Sequence, residues 1–536
     1  MGLRYNDGLD DQTLDAEQKD WRGGFDEFAT PTMLLPNAGG RGVNVIVEDN
    51  GRPRNRPGAD GLSGAAISAG NRIESLLYYD TPTFEYVLAG VNNTVQRWDG
   101  SVWTTPAGYP FGANTVVAWA QLGEVAYATS GTGQWFSYDG TAWSAGLGTD
   151  NSTAAGDPAV GATILCVHTN RVFAAGVINN QYDALAASAL GNAGANQWDW
   201  VNFSLRIGRG EGERITALCS AKGQWLAVGK EGSLFMVYTP PQESTAANWV
   251  VQRLAGSVGV VGRKALVAGG DSLWCIGPDL ALREIRPTQV EDTPFELLPA
   301  ASEPAKPYFD RINTAALSRI ALHVYGRYLV AALPLDNASE PTHVAVWNLR
   351  LRVPSQVPGF TIPAFIGVWT GWTPTSWVTT RFNGVEHLLI GDSAGFVNQW
   401  KDRDDQTDTD TYKDNGAAVL ATVRTRSWDF GTQRNGKDAE SLEVLFEDST
   451  AQADIVAVMD GDEQRRWTVT TEQVQNSLPL SLPFDLALVG PTRATRNADN
   501  LPDFREMYVE IQQLTAGRLE VKSIAAAAFL NTVDNE

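Results

Sequence analysis

Cysteine is scarce in this 536-residue sequence, with three in all. An odd count with no C-x-x-C spacing argues against both a disulfide framework and a zinc site. Cys166 (TILCVH), Cys219 (TALCSA) and Cys275 (LWCIG) each stand inside apolar runs, where a free thiol behaves as a small hydrophobe. Histidine is almost as rare. His168, His323, His343 and His387 lie in or beside apolar runs with no partner at ligand spacing, so imidazole or zinc chemistry has little to work with and strand-filling histidines are expected. Charged residues make up only 19% of the chain, which disfavours long surface helices. No apolar stretch is long enough to cross a bilayer. The start, MGLRYNDGLDDQTLD, has no basic-then-apolar leader, and Asn6 breaks a myristoylation motif. The expectation is a chain made and folded in a reducing cytoplasm. Positive charge is in deficit too: the net charge of −21 repels phosphate backbones and anionic lipid surfaces and argues against ordinary nucleic-acid recognition.

What is present is β-forming. Gly (52) and Trp (18) are generous for the length, a composition of short strands and many turns. One pattern recurs: an alternating apolar strand, a Gly-containing turn, and a second strand ending in an aromatic residue. It reads EYVLAGVNNTVQRWDG from Glu85 and EVAYATSGTGQWFSYDG from Glu124, and the two copies align at WDGSVW and YDGTAW. Further copies start at Arg171, Gln224, Lys264, Arg327 and His387, which makes seven. Period-two alternation buries one face of each strand, and Asp-Gly suits a tight primed hairpin turn. A single such sheet buries neither face, whereas radial stacking covers both. The fold class expected is therefore all-β: a β-propeller of six or seven blades over residues 61–400, with residues 1–60 as an N-terminal arm and lead-in segment. A strand from the region after Ile46 is a candidate to close the ring. Residues 401–416 (KDRDDQTDTDTYKDNG) read as an acidic linker, and the longer strands of 417–536 as an added C-terminal β-sandwich domain. The prolines and glycines of the first forty residues suggest an extended arm, or a strand that reaches a neighbour.

Motifs that could carry chemistry have plainer readings. Gly391-Asp392-Ser393-Ala394-Gly395 matches the G-x-S-x-G nucleophile elbow, but a strand (FVNQW) follows where the elbow needs a helix, and no histidine comes after His387. GRGEGER (Gly208–Arg214) and AGSVGVVGRK (Ala255–Lys264) lack the strand, glycine turn and helix of a phosphate loop and read as turns. The run Asp402, Asp404, Asp405, Asp408, Asp410 and Asp414 could wrap Ca²⁺, yet it lacks the spacing and closing Glu of an EF-hand and reads first as a solvated stretch. Trp recurs in GQW at Gly133 and Gly223 and in NQW at Asn196 and Asn398; it either stacks on sugar rings at a propeller rim or packs between blades, and a fixed place in the repeat favours packing. No catalytic residue, cofactor or metal is assigned. The protein is expected to be a structural part and not an enzyme.

One locally basic stretch stands apart. Val43 to Gly58, with NVIVEDNGRPRNRPG at its core, resembles the N-terminal signature of tail proteins of short-tailed bacteriophages. HLLIGDSAGFVNQW, the Asp-rich link, VRTRSWDFG and Lys437 before SLEVLFED resemble the same group. The nearest family is the tail nozzle or tail-hub (tail tubular) proteins. That resemblance implies a virion structural protein of the head–tail connector complex, a homo-oligomeric ring, commonly hexameric, that contacts the tail adaptor and other tail proteins and through which genome DNA is ejected without specific binding. An anionic lumen would let phosphate slide past, whereas basic patches would hold it. Arg52, Arg54 and Arg56 are the assembly candidates: they grip an acidic neighbour or adaptor, or they only build a rigid turn at the start of the propeller, with contact to DNA the least favoured reading. The alternative function is a propeller adhesin or lectin that binds host surface glycan through exposed Trp.

Overall fold

The computed structural model describes residues 13–29, 34–92, 94–106, 117–131, 135–145, 161–178, 181–290, 294–401, 409–430, 437–447, 449–470, 492–497 and 504–530. Seven four-stranded antiparallel units follow one another along the chain. Blade 1 runs from Ile73–Asp80 outward through Glu85–Val91 and Thr94–Trp98 to Trp103–Thr104, and blades 2 to 6 begin with inner strands Ala118–Leu122, Ala162–His168, Ile215–Ser220, Leu266–Gly269 and Ala321–Tyr325. Blade 7 takes three strands, Pro374–Thr380, His387–Asp392 and Val397–Trp400, from the end of the series. Its outermost strand is Ala59–Gly61, which pairs Ala59 with Trp400 and Gly61 with Asn398. The inner strands neighbour each other in sequence order, and that of blade 7 lies against that of blade 1. The fold is thus a closed β-propeller, and the strand that closes it lies just upstream of blade 1.

Burial explains why these segments are strands. The second strand of each blade is covered on both faces: Arg171–Gly176 and Tyr328–Leu333 are buried throughout, and Trp225–Lys230 in all but its first residue. Their Val, Leu, Phe and Ala side chains fill the space between adjacent blades. Six of the seven sequence copies fall on second strands. The Lys264 copy is displaced by one strand, spanning the inner strand of blade 5 and Ser272–Ile276.

The repeated WDGSVW and YDGTAW are the turns between third and fourth strands of blades 1 and 2. Gly100 and Gly140 take positive φ (97° and 92°), but Asp99 and Asp139 do not, so these are not the primed turns the Asp-Gly pair suggests. Each carboxylate instead accepts the backbone N–H groups two and three residues on, at 2.8–3.0 Å, an Asx turn. Those amides hold both carboxyls below the usual range.

The rest of the chain forms two further sheet surfaces. The outer strand of blade 6, Thr361–Trp369, pairs in parallel with Arg41–Val43, which pairs antiparallel with Thr422–Arg424. Beyond it come Met507–Gln513, Gln452–Met459 and Asp462–Thr470, so one nine-stranded sheet runs from the propeller into the C-terminal region. The opposing sheet has the order Thr13–Gln18, Val521–Leu530, Lys437–Phe446 and Thr492–Asn497. Leu442, Val444, Ile524, Ile455, Val509 and Ile511 belong to the same buried cluster as the cores of blades 5 and 6. The N-terminal strand expected to reach a neighbour is a member of this chain's own sheet, paired over its whole length from Thr13↔Phe529 to Gln18↔Ile524.

Candidate functional site

The basic stretch sits where propeller and sandwich meet. Val45–Val47 and Pro53–Asn55 form a hairpin, and Asn55, fully buried, clasps the C-terminal sheet by donating from Nδ2 to the Gly517 carbonyl (2.7 Å) and accepting from Leu519 N at Oδ1 (3.0 Å). Asn44 adopts positive φ (53°) and bonds to both sides: Nδ2 to Thr370 Oγ1 and the Leu420 carbonyl, Oδ1 from Thr370 N. Gly58 is required by close approach, because a Cβ there would collide with the backbone of Lys413.

The three arginines all find partners inside the chain. Arg52 Nη1 lies 2.6 Å from Glu447 Oε2 and 3.7 Å from Glu520 Oε1. Arg54 is buried, with Nη2 2.8 Å from Glu48 Oε1. Arg56 has no exposed surface and makes five hydrogen bonds, which is the number of N–H groups a guanidinium carries. Nε donates to Asn44 Oδ1 (3.2 Å), Nη1 to the Pro57 carbonyl and Asp414 Oδ1 (both 3.0 Å), and Nη2 to the Thr370 carbonyl (2.7 Å) and Asp414 Oδ2 (2.6 Å). Its plane lies over the Trp372 ring, 4.1 Å from the centroid. Asp414 also accepts from Ala59 N and Trp372 Nε1, each at 2.9 Å. Arg56 is therefore an internal clamp and not a docking group, a correction that follows from its burial; Arg54 is nearly as buried, while Arg52 pairs with its own chain but keeps part of its side chain exposed. The turn-building alternative was nearer, though it missed the partner. Asp402, Asp404, Asp405 and Asp408 lie outside the described residues, while Asp410 pairs with Lys413 at 2.6 Å and Asp414 with Arg56.

A second organised region lies on the propeller axis. All seven inner strands wall a cavity of about 280 Å3, bounded in part by Trp119 and Trp377. It is crossed by Arg263 and Lys264, which precede the inner strand of blade 5. Lys264 Nζ donates to the Glu74 and Thr375 carbonyls of blades 1 and 7 (2.6 and 2.7 Å). Arg263 donates from Nη1 to the Thr163 carbonyl (3.1 Å) and from Nη2 to the Val117 carbonyl (3.2 Å), reaching blades 3 and 2. Two adjacent side chains from one blade thus stitch four others across the centre. These residues were read in the sequence only as the end of a glycine-rich turn; the available signal was a pair of cations directly ahead of an apolar strand.

The other singled-out residues are structural where they stand. Ser393 is in the turn between the second and third strands of blade 7 and donates to Thr373 Oγ1 at 2.9 Å, while the Asp392 carboxylate holds the turn through Ala394 N and Phe396 N. His168 bonds Ser220 Oγ (2.8 Å) and His323 Nε2 bonds Thr379 Oγ1 (2.9 Å), each joining neighbouring blades; His343 bonds Thr342 and His387 bonds Gln399. Burial lowers His168 and His343 and takes His323 down to about 4. It pushes the Cys166 and Cys275 thiols up to about 12, and Cys219 up as well, which keeps thiolate scarce. Every one of the 18 tryptophans is buried or half-buried. The recurrent ones bridge blades: Trp135 meets Trp198 edge-on at 5.2 Å, Trp225 meets Phe295 at 5.9 Å, and Trp400 meets Tyr325 at 5.6 Å.

No family model and no curated protein matches the sequence. Among solved structures, the chain is similar to the β-propeller domain of Cps50 (Swd1) from Myceliophteria thermophila, at 14% identity and TM-score 0.40 over 63% of this chain and 98% of that one. It is similar also to YCF48 bound to D1 peptide, at 10% identity and TM-score 0.38 over 64% and 96%. The computationally designed Ika8 protein matches at 13% identity and TM-score 0.36 over 64% and 99%. The propeller assignment rests on the strand order and ring closure described above.

Proposed function

We propose that this chain is a virion structural protein, a nozzle or hub of a short phage tail, which assembles as a homo-oligomeric ring around the path of the ejected genome. The observation that carries this reading is the place of residues 43–58. The stretch that resembles the tail-protein signature is the one that locks propeller to sandwich, through Asn44, Asn55 and Arg56. A nine-stranded sheet shared by both parts resists hinge motion, as a component that holds a passage open must. Each propeller axis is crossed by the Arg263 and Lys264 side chains, so the passage lies between copies, and a net charge of −21 per chain disfavours phosphate sticking to its walls. With Arg56 committed internally, contacts between copies fall to other surfaces.

The test is the mass of the purified full-length chain in solution. A particle of about six copies is expected; a monomer at every concentration up to those of a virion assembly reaction would overturn the reading. A glycan array separates the adhesin alternative, because a nozzle gives no specific signal there and the tryptophans are buried or half-buried.

A further inference from the structure

Where the inner strands begin, the propeller axis opens into a mouth of about 560 Å3 that receives residues from all seven blades. Its wall holds five cations, Arg72, Arg214, Arg263, Lys264 and Arg319, and one carboxylate, Glu231. Glu74 and Glu340 stand beside it, 3.1 and 2.9 Å from Arg72 and 3.7 and 3.9 Å from Arg319. Among the described residues, five basic side chains stand against these three carboxylates, in a chain whose net charge is −21.

Arg263 and Lys264 form the floor of the mouth, where Glu74 acts on both, and Glu340 on Lys264, through space and not by a direct bond. Among the described residues, their hydrogen bonds go to four backbone carbonyls and to no carboxylate. A guanidinium has five N–H groups and an ammonium three, so donors remain on both. Burial, with like charge alongside and Glu74 opposing it, pulls Arg263 down to about 10 and Lys264 well below the usual lysine range; an anion brought close favours the charged form of each. Arg214 and Arg319 sit at the rim, partly exposed, the first 3.0 Å from Glu231.

We propose that this mouth is a binding site for a small multivalent oxyanion, held at the floor by Arg263 and Lys264 and at the rim by Arg72, Arg214 and Arg319. Arginine forks suit the paired oxygens of phosphate and carboxylate groups alike. The mouth is walled on all sides by one chain and has room for a molecule of that size, not for a polymer backbone. This site goes beyond the tail reading and does not depend on ring formation.

The experiment is thermal unfolding of the full-length chain with pyrophosphate or citrate, chloride being adjusted to keep ionic strength constant. A ligand that binds only the folded state raises Tm saturably with its concentration. The expected result is such a rise with at least one of the two, and the comparison tells phosphate from carboxylate. Arg319→Gln and Arg214→Gln, both at the rim and outside the floor contacts, should each weaken the apparent affinity about tenfold, with Arg319→Lys recovering part of it. Rises no larger than chloride alone produces, or titrations unchanged in the Arg319→Gln/Arg214→Gln double variant, would overturn the proposal. Since the readout is the folding of one chain, failure here is distinct from failure to form a ring.

Discussion

Arg56 and Asp414 meet as a two-pronged fork, Nη1 to Oδ1 at 3.0 Å and Nη2 to Oδ2 at 2.6 Å, across 358 positions of sequence. The pair fastens the segment before the propeller to the hairpin after it (Lys413–Asp414 with Ala417–Ala418), and it brings Ala59, the first residue of the closing strand, into the same carboxylate. Charge taken out of water is stabilising only when fully satisfied, and here every guanidinium N–H has an acceptor.

Breaking one side should therefore cost more than an ordinary contact. Arg56→Ala leaves the Asp414 carboxylate without its principal partner and is expected to lower the unfolding free energy by about 3–5 kcal/mol in denaturant titration. Arg56→Lys should recover little, because an ammonium can reproduce neither the five-bond fork nor the stack on Trp372. Near-normal stability for the lysine variant would show that only the charge matters.

Much of the propeller was legible because second strands are covered on both faces and read as apolar runs such as RVFAAG and YLVAAL. Outer strands were not. Trp103–Thr104 has two residues, and Ala59–Gly61 is a strand only because Trp400 and Asn398 pair with it. The N-terminal strand TLDAEQ has no β signature and owes its conformation to Ile524–Phe529. Arg56 stood out as basic, but its partner lies in the acidic run, and nothing local tells a solvated aspartate from one that folds back on an arginine. Arg263 and Lys264 were hidden for a similar reason: their acceptors are backbone carbonyls of four other blades, groups that carry no residue identity.

Interblade tryptophan should dominate surface-independent stability. Trp135 is almost wholly buried against Trp198 of the next blade, and Trp135→Ala is expected to cost about 3–5 kcal/mol. Ser393→Ala, which removes one hydroxyl bond to Thr373 in a turn, should change stability by only about 0.5–1 kcal/mol. Comparable losses from the two would contradict the packing role assigned to the recurrent Trp.

His323 should make the fold acid-sensitive. Its folded pKa of about 4 lies below the ordinary value near 6.5, so between those values the unfolded chain binds the extra proton and stability falls as pH is lowered; above 6.5 the penalty is absent. Tm measured from pH 7 to pH 4.5 should drop less in His323→Gln than in the parent, the difference growing toward the lower end. Parallel pH profiles would remove His323 as a cause.

Ring closure depends on three residues of strand, and a covalent bond across them tests how much. Asp60 and Gln399 are paired across the blade 7 edge, so Asp60→Cys with Gln399→Cys can form a disulfide that joins the two ends of the propeller chain. The loop it closes spans all seven blades, and long loops gain most from closure; an increase of about 3 kcal/mol over the reduced form is expected if opening at this seam begins unfolding. The native Cys166, Cys219 and Cys275 are held as thiols by burial, which leaves the engineered pair as the reactive one. Equal Tm for oxidised and reduced protein, with the bond verified by mass, would mean that unfolding starts elsewhere, and that the Arg56–Asp414 fork behind the seam already holds it shut.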